Sequence, residues 1–239
     1  MAEGSTRPER HRLLTAIVPV YNERNTVSLV LRRMRQVVLP DDLDLEVIVV
    51  DDGSTDGTDK VLATLEDSTV RVLRHPANQG KGAAIRTGLS AARGDLVLIQ
   101  DADLEYDPAE WPALLAPILR GRADVVYGSR FRGSGSGMSL SGYLGNRVLA
   151  VVASVLYNTA ISDLETCYKV MDRAVFEKID LRADGFEIEP EITAKLLRSG
   201  YKIFEVPVSF AARSDGKKFT PRDGAKALAT LVRLRLSRG

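Results

Sequence analysis

Two aspartates, Asp101 and Asp103, stand on either side of Ala102 and follow the apolar run Leu96–Ile99. A short apolar run predicts a buried strand, and two carboxylates placed two residues apart beyond a strand end can face the same cleft. Oxygen ligands suit Mg²⁺ and Mn²⁺, and such ions keep coordination positions for the phosphates of a substrate. The tripeptide alone is more often a solvated acidic loop, so the metal hypothesis depends on the motifs around it.

The apolar segments of the first hundred residues predict the elements that position these aspartates. Four short apolar runs are typical of buried strands: 14–18, 45–50, 70–73 and 96–99. Apolar residues at helical spacing between the runs predict three helices: 27–38, 61–65 and 80–92. Gly94 follows the third helix, where we expect it to act as a C-cap. This alternation predicts an α/β fold with a mostly parallel central sheet and helices on both faces.

Polar residues gather where three of the predicted strands end, in segments 19–23, 51–56 and 100–105. The carboxyl ends of parallel strands share one edge of the sheet, and ligands of open α/β sheets bind beyond that edge. The sequence therefore predicts a ligand site at this edge that includes both aspartates of the Asp-x-Asp motif.

Gly80, Lys81 and Gly82 open the third predicted helix. Glycines allow a ligand to approach the backbone closely, and the N-terminus of a helix carries partial positive charge. This combination suits a phosphate group, with Lys81 as a further positive charge. A lysine on a solvated surface is the simpler alternative.

The second half of the sequence is less regular. Three more apolar runs predict strands: 125–127, 168–171 and 202–208. Four segments predict helices: a short or kinked one that begins at Asp107 and Pro108, then 144–160, 190–199 ended by Gly200, and 222–238. Because no repeat or linker separates these elements, we expect one domain over residues 13–239, with residues 1–12 as a disordered tail.

The overall composition excludes several classes of protein. The 33 Lys and Arg residues nearly balance 32 Asp and Glu residues, so the net charge of +1 gives no general attraction to nucleic acid. The single cysteine, Cys167, cannot build a disulfide framework. The longest uncharged apolar stretch, 148–162, is shorter than the ~20 residues that span a bilayer, and the first residues do not resemble a secretory signal. We therefore expect a cytoplasmic protein, with peripheral contact to the inner face of the membrane as an open alternative.

The Asp-x-Asp motif is one of four motifs that occur in order along the chain. The others are residues 18–23 (VPVYNE), 49–58 (VVDDGSTDGT) and 78–82 (NQGKG). With these four motifs the sequence resembles the family 2 glycosyltransferases, which share the GT-A fold, over nearly its whole length. The resemblance implies an enzyme that binds a nucleotide-sugar donor and uses Mg²⁺ or Mn²⁺.

The resemblance also implies roles for individual residues. The nucleotide side of the donor would be bordered by residues at the ends of the first two strands: Pro19, Tyr21, Asn22, Glu23 and Asp52. Lys81 would lie near the diphosphate. The metal would be held by Asp103 with help from Asp101, and Ala102 would line the same site. Turn and strand-end chemistry explains Pro19 and Asp52 equally well, so these roles are hypotheses.

Two later segments narrow the acceptor. Residues 128–131 (GSRF) and the Asn146-Arg147 pair resemble the polyprenyl-phosphate glycosyltransferases, the group that includes dolichol-phosphate mannose synthase. This resemblance implies that Arg130 and Arg147 grip the acceptor phosphate, a task that suits a guanidinium group. Surface salt bridges are the alternative for both arginines.

The segment 163–169 (DLETCYK) resembles the part of the family that places an acceptor-side carboxylate. Asp163 or Glu165 would then be a general base, an acceptor-positioning residue or a loop anchor, since an acceptor that is already a phosphate needs little or no base. The dolichol-phosphate mannose branch more often has Ser-Phe-Arg where this chain has Cys167, Tyr168 and Lys169. This departure leaves the exact acceptor and sugar open.

The C-terminal part contains two basic features. Arg213, Lys217 and Lys218 occupy the position of a mobile segment that, in the family, folds over the diphosphate; a solvated charged loop is the alternative. The last predicted helix is roughly amphipathic: Arg235 projects into an apolar stripe whose members are Leu228, Leu231, Val232 and Leu236. It can lie on an anionic membrane surface or pack against the domain.

These features together predict a metal-dependent, inverting glycosyltransferase that moves a sugar from a UDP- or GDP-sugar to a polyprenyl phosphate. Three alternatives stay open: a family 2 enzyme with a soluble or polysaccharide acceptor, a nucleotidyltransferase, and a binding module for nucleotide-sugars without activity.

Overall fold

The computed structural model of this chain describes residues 13–40, 43–65, 67–133, 135–136, 138–212 and 220–237, so the predicted tail over residues 1–12 lies outside it. The described strands are β1 (Leu13–Val20), β2 (Asp44–Asp51), β3 (Val70–Arg74), β4 (Leu96–Ile99), β5 (Val125–Ser129), β6 (Gly135–Ser136), β7 (Lys169–Asp172), β8 (Ile203–Pro207) and β9 (Phe210–Ala211). The described helices are α1 (Val27–Arg35), α2 (Thr58–Ala63), α3 (Lys81–Ala91), α4 (Trp111–Leu119), α5 (Leu140–Tyr157), α6 (Arg173–Lys178), α7 (Ile188–Arg198) and α8 (Pro221–Leu236).

The described strands form a seven-stranded sheet in the order β3-β2-β1-β4-β7-β5-β8, and β6 pairs with β9 in a separate ribbon. In the large sheet, β1 pairs in parallel with β2 and β4, β2 with β3, and β5 with β8. Strand β7 is inserted between β4 and β5 and runs antiparallel to both. The predicted α/β fold with a mostly parallel sheet is therefore confirmed, and the reversed strand is a feature that the apolar pattern did not reveal.

The continuous apolar runs of the central strands explain why helices cover both faces of the sheet. All four residues of β4 are buried, as are the last six residues of β2. Successive side chains of a strand point to opposite faces, so an unbroken buried run requires cover on both sides. The core that results extends from β1 to Leu231 of α8.

Helices α1, α3 and α7 follow the predicted patterns, with shifted ends. Helix α1 ends at Arg35 rather than at residue 38, and Val38 beyond it is 86% exposed. The expectation that Gly94 caps α3 is wrong, because α3 ends in extended backbone at Ala92. Gly94 is instead required for close packing: a Cβ there would lie 2.6 Å from the carbonyl oxygen of Leu13. Gly200 does follow α7 in the left-handed conformation, with φ of +83°.

Three helical segments of the second half begin at residues whose side chains cap them. Asp107 accepts a hydrogen bond from the Ala109 N–H and opens a single 3₁₀ turn that leads into α4. Ser139 accepts from the Gly142 N–H at 3.2 Å and opens α5, four residues before the predicted start. Thr220 caps α8 in a capping box with its third residue. The caps of α5 and α8 explain why these two helices start earlier than their apolar patterns.

Two helical glycines give opposite predictions for stability. A Cβ at Gly88 in α3 would lie 2.5 Å from Cγ2 of Ile17 in β1, whereas a Cβ at Gly145 in α5 would meet no described atom within 4 Å. We expect Gly88→Ala to lower the free energy of unfolding by about 1–3 kcal/mol through overpacking. Gly145→Ala is the matched control and should raise the free energy of unfolding by up to ~1 kcal/mol, because alanine favours the helix. Urea denaturation of both variants measures this, and shifts of equal sign would contradict the packing argument.

Candidate active site

The ends of β1 and β2 are interlocked by hydrogen bonds at the predicted edge of the sheet. The Asn22 N–H donates to Ser54 Oγ at 3.0 Å, and Asn22 Oδ1 accepts from the Thr55 N–H at 2.9 Å. The Glu23 N–H donates to Thr58 Oγ1 at 3.0 Å. Asn22 has φ of +55°, a left-handed conformation that asparagine tolerates. The structure thus brings together the two segments that were predicted to border the nucleotide.

The other residues predicted at the end of β1 lie at the same edge. Pro19 is opposite Val50 in the parallel register, and Tyr21 is half-buried just beyond the strand. Glu23 is buried, and its Oε2 accepts a hydrogen bond from Thr26 Oγ1 at 2.6 Å. Their contact with a donor nucleotide stays a prediction.

Asp52 holds the loop that precedes α3. It is buried, and its Oδ1 lies 2.7 Å from His75 Nδ1 and accepts from the Gln79 N–H at 2.9 Å. Its Oδ2 accepts from the Gly80 N–H at 2.7 Å. His75 Nε2 in turn lies 2.9 Å from Thr87 Oγ1 on α3. Both oxygens of Asp52 therefore organise the loop in this structure, while the predicted contact with a base or ribose is untested. Sequence reasoning missed His75, which bridges β3 and α3.

The glycines at the start of α3 pack against another part of the chain. A Cβ at Gly80 would overlap the carbonyl oxygen of Asp184, and a Cβ at Gly82 would overlap that of Ala183. The Ala83 N–H donates to the Asp184 carbonyl at 3.1 Å. Both glycines therefore allow segment 183–184 to pack closely against the start of α3. The close approach of a phosphate group, which the sequence suggested as their role, stays a prediction.

Lys81 lies between two carboxylates at the N-terminus of α3. Its Nζ is 2.9 Å from Asp101 Oδ1 and 2.9 Å from Glu189 Oε1, which belongs to the first turn of α7. Burial opposes the charged form of Lys81, but attraction by Asp101 and Glu189 outweighs it and holds the pKa of Lys81 well above its ordinary value. The lysine is therefore a fixed positive charge beside the Asp-x-Asp motif.

The two predicted metal ligands stand directly beyond β4. The Asp101 N–H donates to Cys167 Sγ at 3.0 Å, and Asp103 Oδ1 accepts from the Glu105 N–H at 3.1 Å. Both aspartates are half-buried, and Ala102 between them is buried. Cys167 is a packed residue: its thiol is buried behind the motif, and burial raises its pKa.

The residues of the motif fit a divalent cation that is shared with a substrate. Asp101 and Asp103 offer hard oxygen donors, and within the described residues no group of three or more His, Cys, Asp or Glu side chains could hold a metal ion. Two protein carboxylates are too few for a closed metal site but suit Mg²⁺ or Mn²⁺ that is also coordinated by diphosphate oxygens and water. The donor set is thus consistent with a metal that arrives with the donor, and metal binding by this chain stays a prediction.

Arg130 is fixed by Asp163 in a two-pronged ion pair. Arg130 Nε and Nη2 donate to Asp163 Oδ2 and Oδ1, both at 2.7 Å, and the Arg130 N–H donates to Oδ2 at 2.9 Å. Asp163 is fully buried. Of the three roles open to Asp163, a loop anchor agrees best with this geometry, because a general base needs an oxygen that reaches the acceptor.

Arg147 lies close to the same region on α5. Its guanidinium is 5.5 Å from the centre of the Phe131 ring, and Asn146 Oδ1 accepts from Arg130 Nη2 at 3.3 Å. Phe131 also contacts the Tyr143 ring, with the ring centres 5.3 Å apart. The segment of Arg130 therefore contacts the turn of α5 that carries Arg147, and a shared anionic ligand for the two arginines stays a prediction.

Glu165 is a carboxyl with a strongly altered pKa. Burial and, next, the Glu189 carboxylate raise the pKa of Glu165 to about 8, although Lys169, Arg130 and Lys81 act in the opposite direction. Its Oε1 is sealed from solvent without a hydrogen-bond partner among the described residues. Glu165 is therefore neutral over most of the physiological pH range and sits between the donor-side and acceptor-side charges.

Sequence reasoning missed a buried lysine beneath the site. Lys169 is fully buried, donates to the carbonyl oxygens of Leu164 and Thr166, and pairs with Glu189 at 2.5 Å. Its Nζ is also 4.7 Å from the centre of the Tyr127 ring. The sequence did contain a signal for this buried charge. Lys169 lies inside an apolar run that predicts a buried strand, and a charge at such a position requires partners.

The predicted lid residues Arg213, Lys217 and Lys218 lie outside the described residues. Their closure over a diphosphate stays a prediction.

The pKa of Glu165 predicts a pH dependence of stability. A carboxyl whose pKa rises from 4.5 in the unfolded chain to about 8 in the folded protein binds more protons when folded between these values. The free energy of unfolding should therefore fall as pH rises from about 5 to about 8, by at most ~1.4 kcal/mol per pH unit from this group. Glu165→Gln should remove this contribution, whereas the exposed Glu177→Gln on α6 should not. Urea titrations at several pH values measure it, and parallel pH profiles for the unsubstituted protein and Glu165→Gln would contradict it.

Solved structures of known proteins share this architecture. Glucosyl-3-phosphoglycerate synthase from Mycobacterium tuberculosis, in complex with Mn²⁺, UDP and glucosyl-3-phosphoglycerate, superposes with a TM-score of 0.74 at 22% identity, over 93% of this chain and 80% of that chain. The same enzyme in complex with Mg²⁺ and UDP gives a TM-score of 0.73 at 24% identity, over 93% of this chain and 79% of that chain. At these identities the match shows the fold, which is GT-A.

Sequence relatives identify the family. Polyprenol monophosphomannose synthase from Mycolicibacterium smegmatis is 32% identical over 227 residues, or 89% of this chain and 82% of that protein. The glycosyltransferase AglJ from Haloferax volcanii is 30% identical over 202 residues, or 84% of this chain and 63% of its own length. The model of glycosyl transferase family 2 matches residues 15–180. The chain therefore belongs to glycosyl transferase family 2 and is a glycosyltransferase with the GT-A fold.

Proposed function

We propose that this glycosyltransferase moves a sugar from a UDP- or GDP-sugar to a polyprenyl phosphate, with inversion at the anomeric carbon. The observation that carries the proposal is that the segment of Arg130, which Asp163 holds in a two-pronged ion pair, contacts the turn of α5 that carries Arg147. Two guanidinium groups in neighbouring segments suit a phosphate acceptor. A relative that is named as a polyprenol monophosphomannose synthase supports the same acceptor class.

The donor side of the site suits a nucleoside diphosphate. Lys81 stands at the N-terminus of α3, where the helix adds partial positive charge, and it contacts Asp101 of the Asp-x-Asp motif. Mg²⁺ or Mn²⁺ held by these aspartates would neutralise charge on the departing diphosphate. Lys81 contributes a further fixed positive charge, so the charge that develops on the leaving group meets a prepared electrostatic environment.

The acceptor side requires no strong base in this reaction. A phosphate oxygen of the acceptor is already anionic at neutral pH, so it can form the bond to the anomeric carbon while the bond to the diphosphate oxygen breaks and its electron pair leaves with the nucleoside diphosphate. Arg130 and Arg147 orient the acceptor phosphate on the face opposite the leaving group. Asp163 acts through Arg130 and is a positioning residue.

A soluble acceptor is the second candidate, and Glu165 favours it. A hydroxyl acceptor needs a general base, and a carboxylate with a pKa of about 8 is a capable one once it is ionised. The structural relatives include a complex with UDP-glucose and phosphoglyceric acid. If Glu165 were the base for a hydroxyl acceptor, kcat would rise with pH towards about 8, and Glu165→Gln would lose most activity.

Membrane contact is part of the proposal, and α5 supports it more strongly than α8 does. By length and composition α5 is apolar enough to cross a membrane, but Leu149, Ala150 and Ala153 face the protein, and Tyr157 Oη donates to the Leu231 carbonyl of α8 at 2.8 Å. The opposite side of α5 exposes an apolar stripe, defined by Leu140, Leu144, Val148, Val151 and Val155. A helix with such a stripe lies in a membrane interface rather than across it.

Helix α8 extends this surface beside α5. Arg235 Nε donates to the Leu156 carbonyl of α5 at 2.7 Å, and Leu228, Val232 and Leu236 are exposed on the same flank of α8. Arg233 is also exposed on α8 and can reach anionic headgroups. We therefore propose that the enzyme works at the inner face of the membrane, with the polyprenyl chain in the lipid and its phosphate at Arg130 and Arg147.

A donor and acceptor screen tests the proposed reaction. Purified protein is incubated with Mn²⁺ or Mg²⁺, a panel of UDP- and GDP-sugars and a short polyprenyl phosphate, and release of nucleoside diphosphate is followed. We expect release that requires both metal and polyprenyl phosphate, and its loss by at least ~100-fold in Asp103→Ala, since this residue is proposed to hold the metal. Asp124→Ala, at an exposed position before β5, is the control and should remain active.

Other outcomes of the screen point to other functions. Metal-dependent release that is indifferent to the lipid would move the acceptor to a soluble molecule, and release of pyrophosphate would indicate a nucleotidyltransferase. Binding of a donor without turnover would indicate a module without activity. Full activity of a folded Asp103→Ala would overturn the metal assignment.

Vesicle flotation tests the membrane surface. We expect the protein to bind vesicles that contain phosphatidylglycerol, and Leu144→Ser together with Val148→Ser to weaken binding by about tenfold or more, since each buried side chain contributes about 1 kcal/mol or more. The control pair Leu29→Ser and Val38→Ser removes one exposed leucine and one exposed valine from α1 and the loop behind it. Equal vesicle binding by the two double variants would contradict the assignment of the α5 stripe as the membrane surface. A dimer that dissociates only in the α5 pair would assign the stripe to a second copy of the chain.

A further inference from the structure

A chain of four charged side chains runs beneath the proposed donor site. Asp101 contacts Lys81, Lys81 contacts Glu189, and Glu189 contacts Lys169, with Nζ to oxygen distances of 2.9, 2.9 and 2.5 Å. Glu189 is the link between the two lysines, and its two carboxylate oxygens are divided between them. Lys81 and Asp101 belong to the proposed donor site, whereas Glu189 and Lys169 take no direct part in the proposed reaction.

Glu189 is a fixed group rather than an adaptable one. It is buried in the first turn of α7, and Lys169 holds its Oε2 from the other side. Lys169 is itself fully buried and fastened to the carbonyl oxygens of Leu164 and Thr166. Oε1 of Glu189 therefore stays directed at Lys81, whatever Lys81 contacts on its other side.

Lys81 and the proposed metal ion both use the carboxylate of Asp101. Lys81 Nζ lies 2.9 Å from its Oδ1 and 3.0 Å from its Oδ2, so the ammonium group covers both oxygens. A metal ion that binds Asp101 therefore competes with Lys81 for the same two oxygens. If Asp101 were the only counter-ion of Lys81, its loss to the metal ion would leave a buried ammonium group without a partner, which is energetically costly.

We propose that Glu189 is a positioning residue that keeps Lys81 neutralised while Asp101 changes partner from Lys81 to the incoming metal ion. The inference rests on the metal assignment of the proposed function. Glu189 lowers the cost of the exchange because Lys81 never lacks a carboxylate, and Lys81 is then free to turn its remaining hydrogen-bond capacity to the donor diphosphate. A lysine with three donors can serve both partners at once.

Direct titration with Mn²⁺ in the presence of UDP or GDP, followed by the electron paramagnetic resonance of the free ion, tests this without relying on activity. We expect Glu189→Gln to weaken Mn²⁺ binding by about tenfold, because Lys81 then depends on Asp101 alone. Lys81→Met should bind Mn²⁺ at least as tightly as the unsubstituted protein, because the competitor for Asp101 is gone. In the Lys81→Met background, adding Glu189→Gln should change the affinity by less than about threefold, since the effect of Glu189 runs through Lys81.

Controls separate this exchange from simpler effects. Glu177→Gln removes the same charge from the exposed end of α6 and should leave Mn²⁺ affinity unchanged. Thermal unfolding by circular dichroism checks that each variant is folded. If Glu189→Gln does not fold, the affinity of Lys81→Met still decides, because weaker Mn²⁺ binding in that variant would overturn the proposal.

Each result has a defined meaning. If Glu189→Gln lowers the Mn²⁺ affinity equally in the unsubstituted and the Lys81→Met protein, the effect is a through-space charge effect, and the role assigned through Lys81 is overturned. The role is also overturned if Glu189→Gln does not lower the Mn²⁺ affinity at all. Failure of the unsubstituted protein to bind Mn²⁺ in the presence of UDP and of GDP would overturn the metal assignment of the proposed function, and this inference with it.

Discussion

Parallel pairing of β1 with β2 and β4 is the constraint on which the rest of the site depends. Because the three strands are adjacent and run in one direction, their carboxyl ends are forced to the same edge. The loops that follow them then have to share a small volume, and they do so through the bonds between Asn22 and the segment behind β2. The register of a few buried apolar residues thereby decides where carboxylates 50 to 80 positions apart in the sequence come together.

The parts of the fold that could be predicted are those in which one local pattern decides the outcome. Continuous apolar runs bounded by polar residues gave β1, β2 and β4, and the polar residues behind them gave the edge at which the site lies. Strand β7 could not be predicted to run antiparallel, because its direction is set by its neighbours β4 and β5 and not by its own residues. Gly94 was misread for a similar reason: it follows a helix, but contact with β1 determines its role.

The site was predicted less completely than the fold, since buried charges depend on partners that are distant in sequence. Asp163 was recognised as a candidate, but only the position of Arg130, 33 residues away, shows that its oxygens are engaged. Lys169 and Glu189 escaped because each looks like an exception within an apolar pattern. A charge inside a buried element carries a large penalty when alone, so such an exception is itself evidence that a second charge lies opposite.

The proposed acceptor and the proposed donor are assigned to different parts of the molecule by the positions of its charges and its exposed apolar residues. Arg130 is held by Asp163, and its neighbour Asn146 belongs to α5, the helix whose outer side is the apolar stripe. The proposed acceptor is apolar at one end and a phosphate at the other, so it would place its phosphate beside Arg130 and Arg147, next to the apolar stripe. The nucleoside diphosphate, by contrast, has no apolar end and needs only the polar edge of the sheet. Segment 163–169 connects the two proposed sides, because Asp163 fixes Arg130 and Lys169 fixes Glu189. In the proposed reaction, the transfer would take place between these two groups of charges.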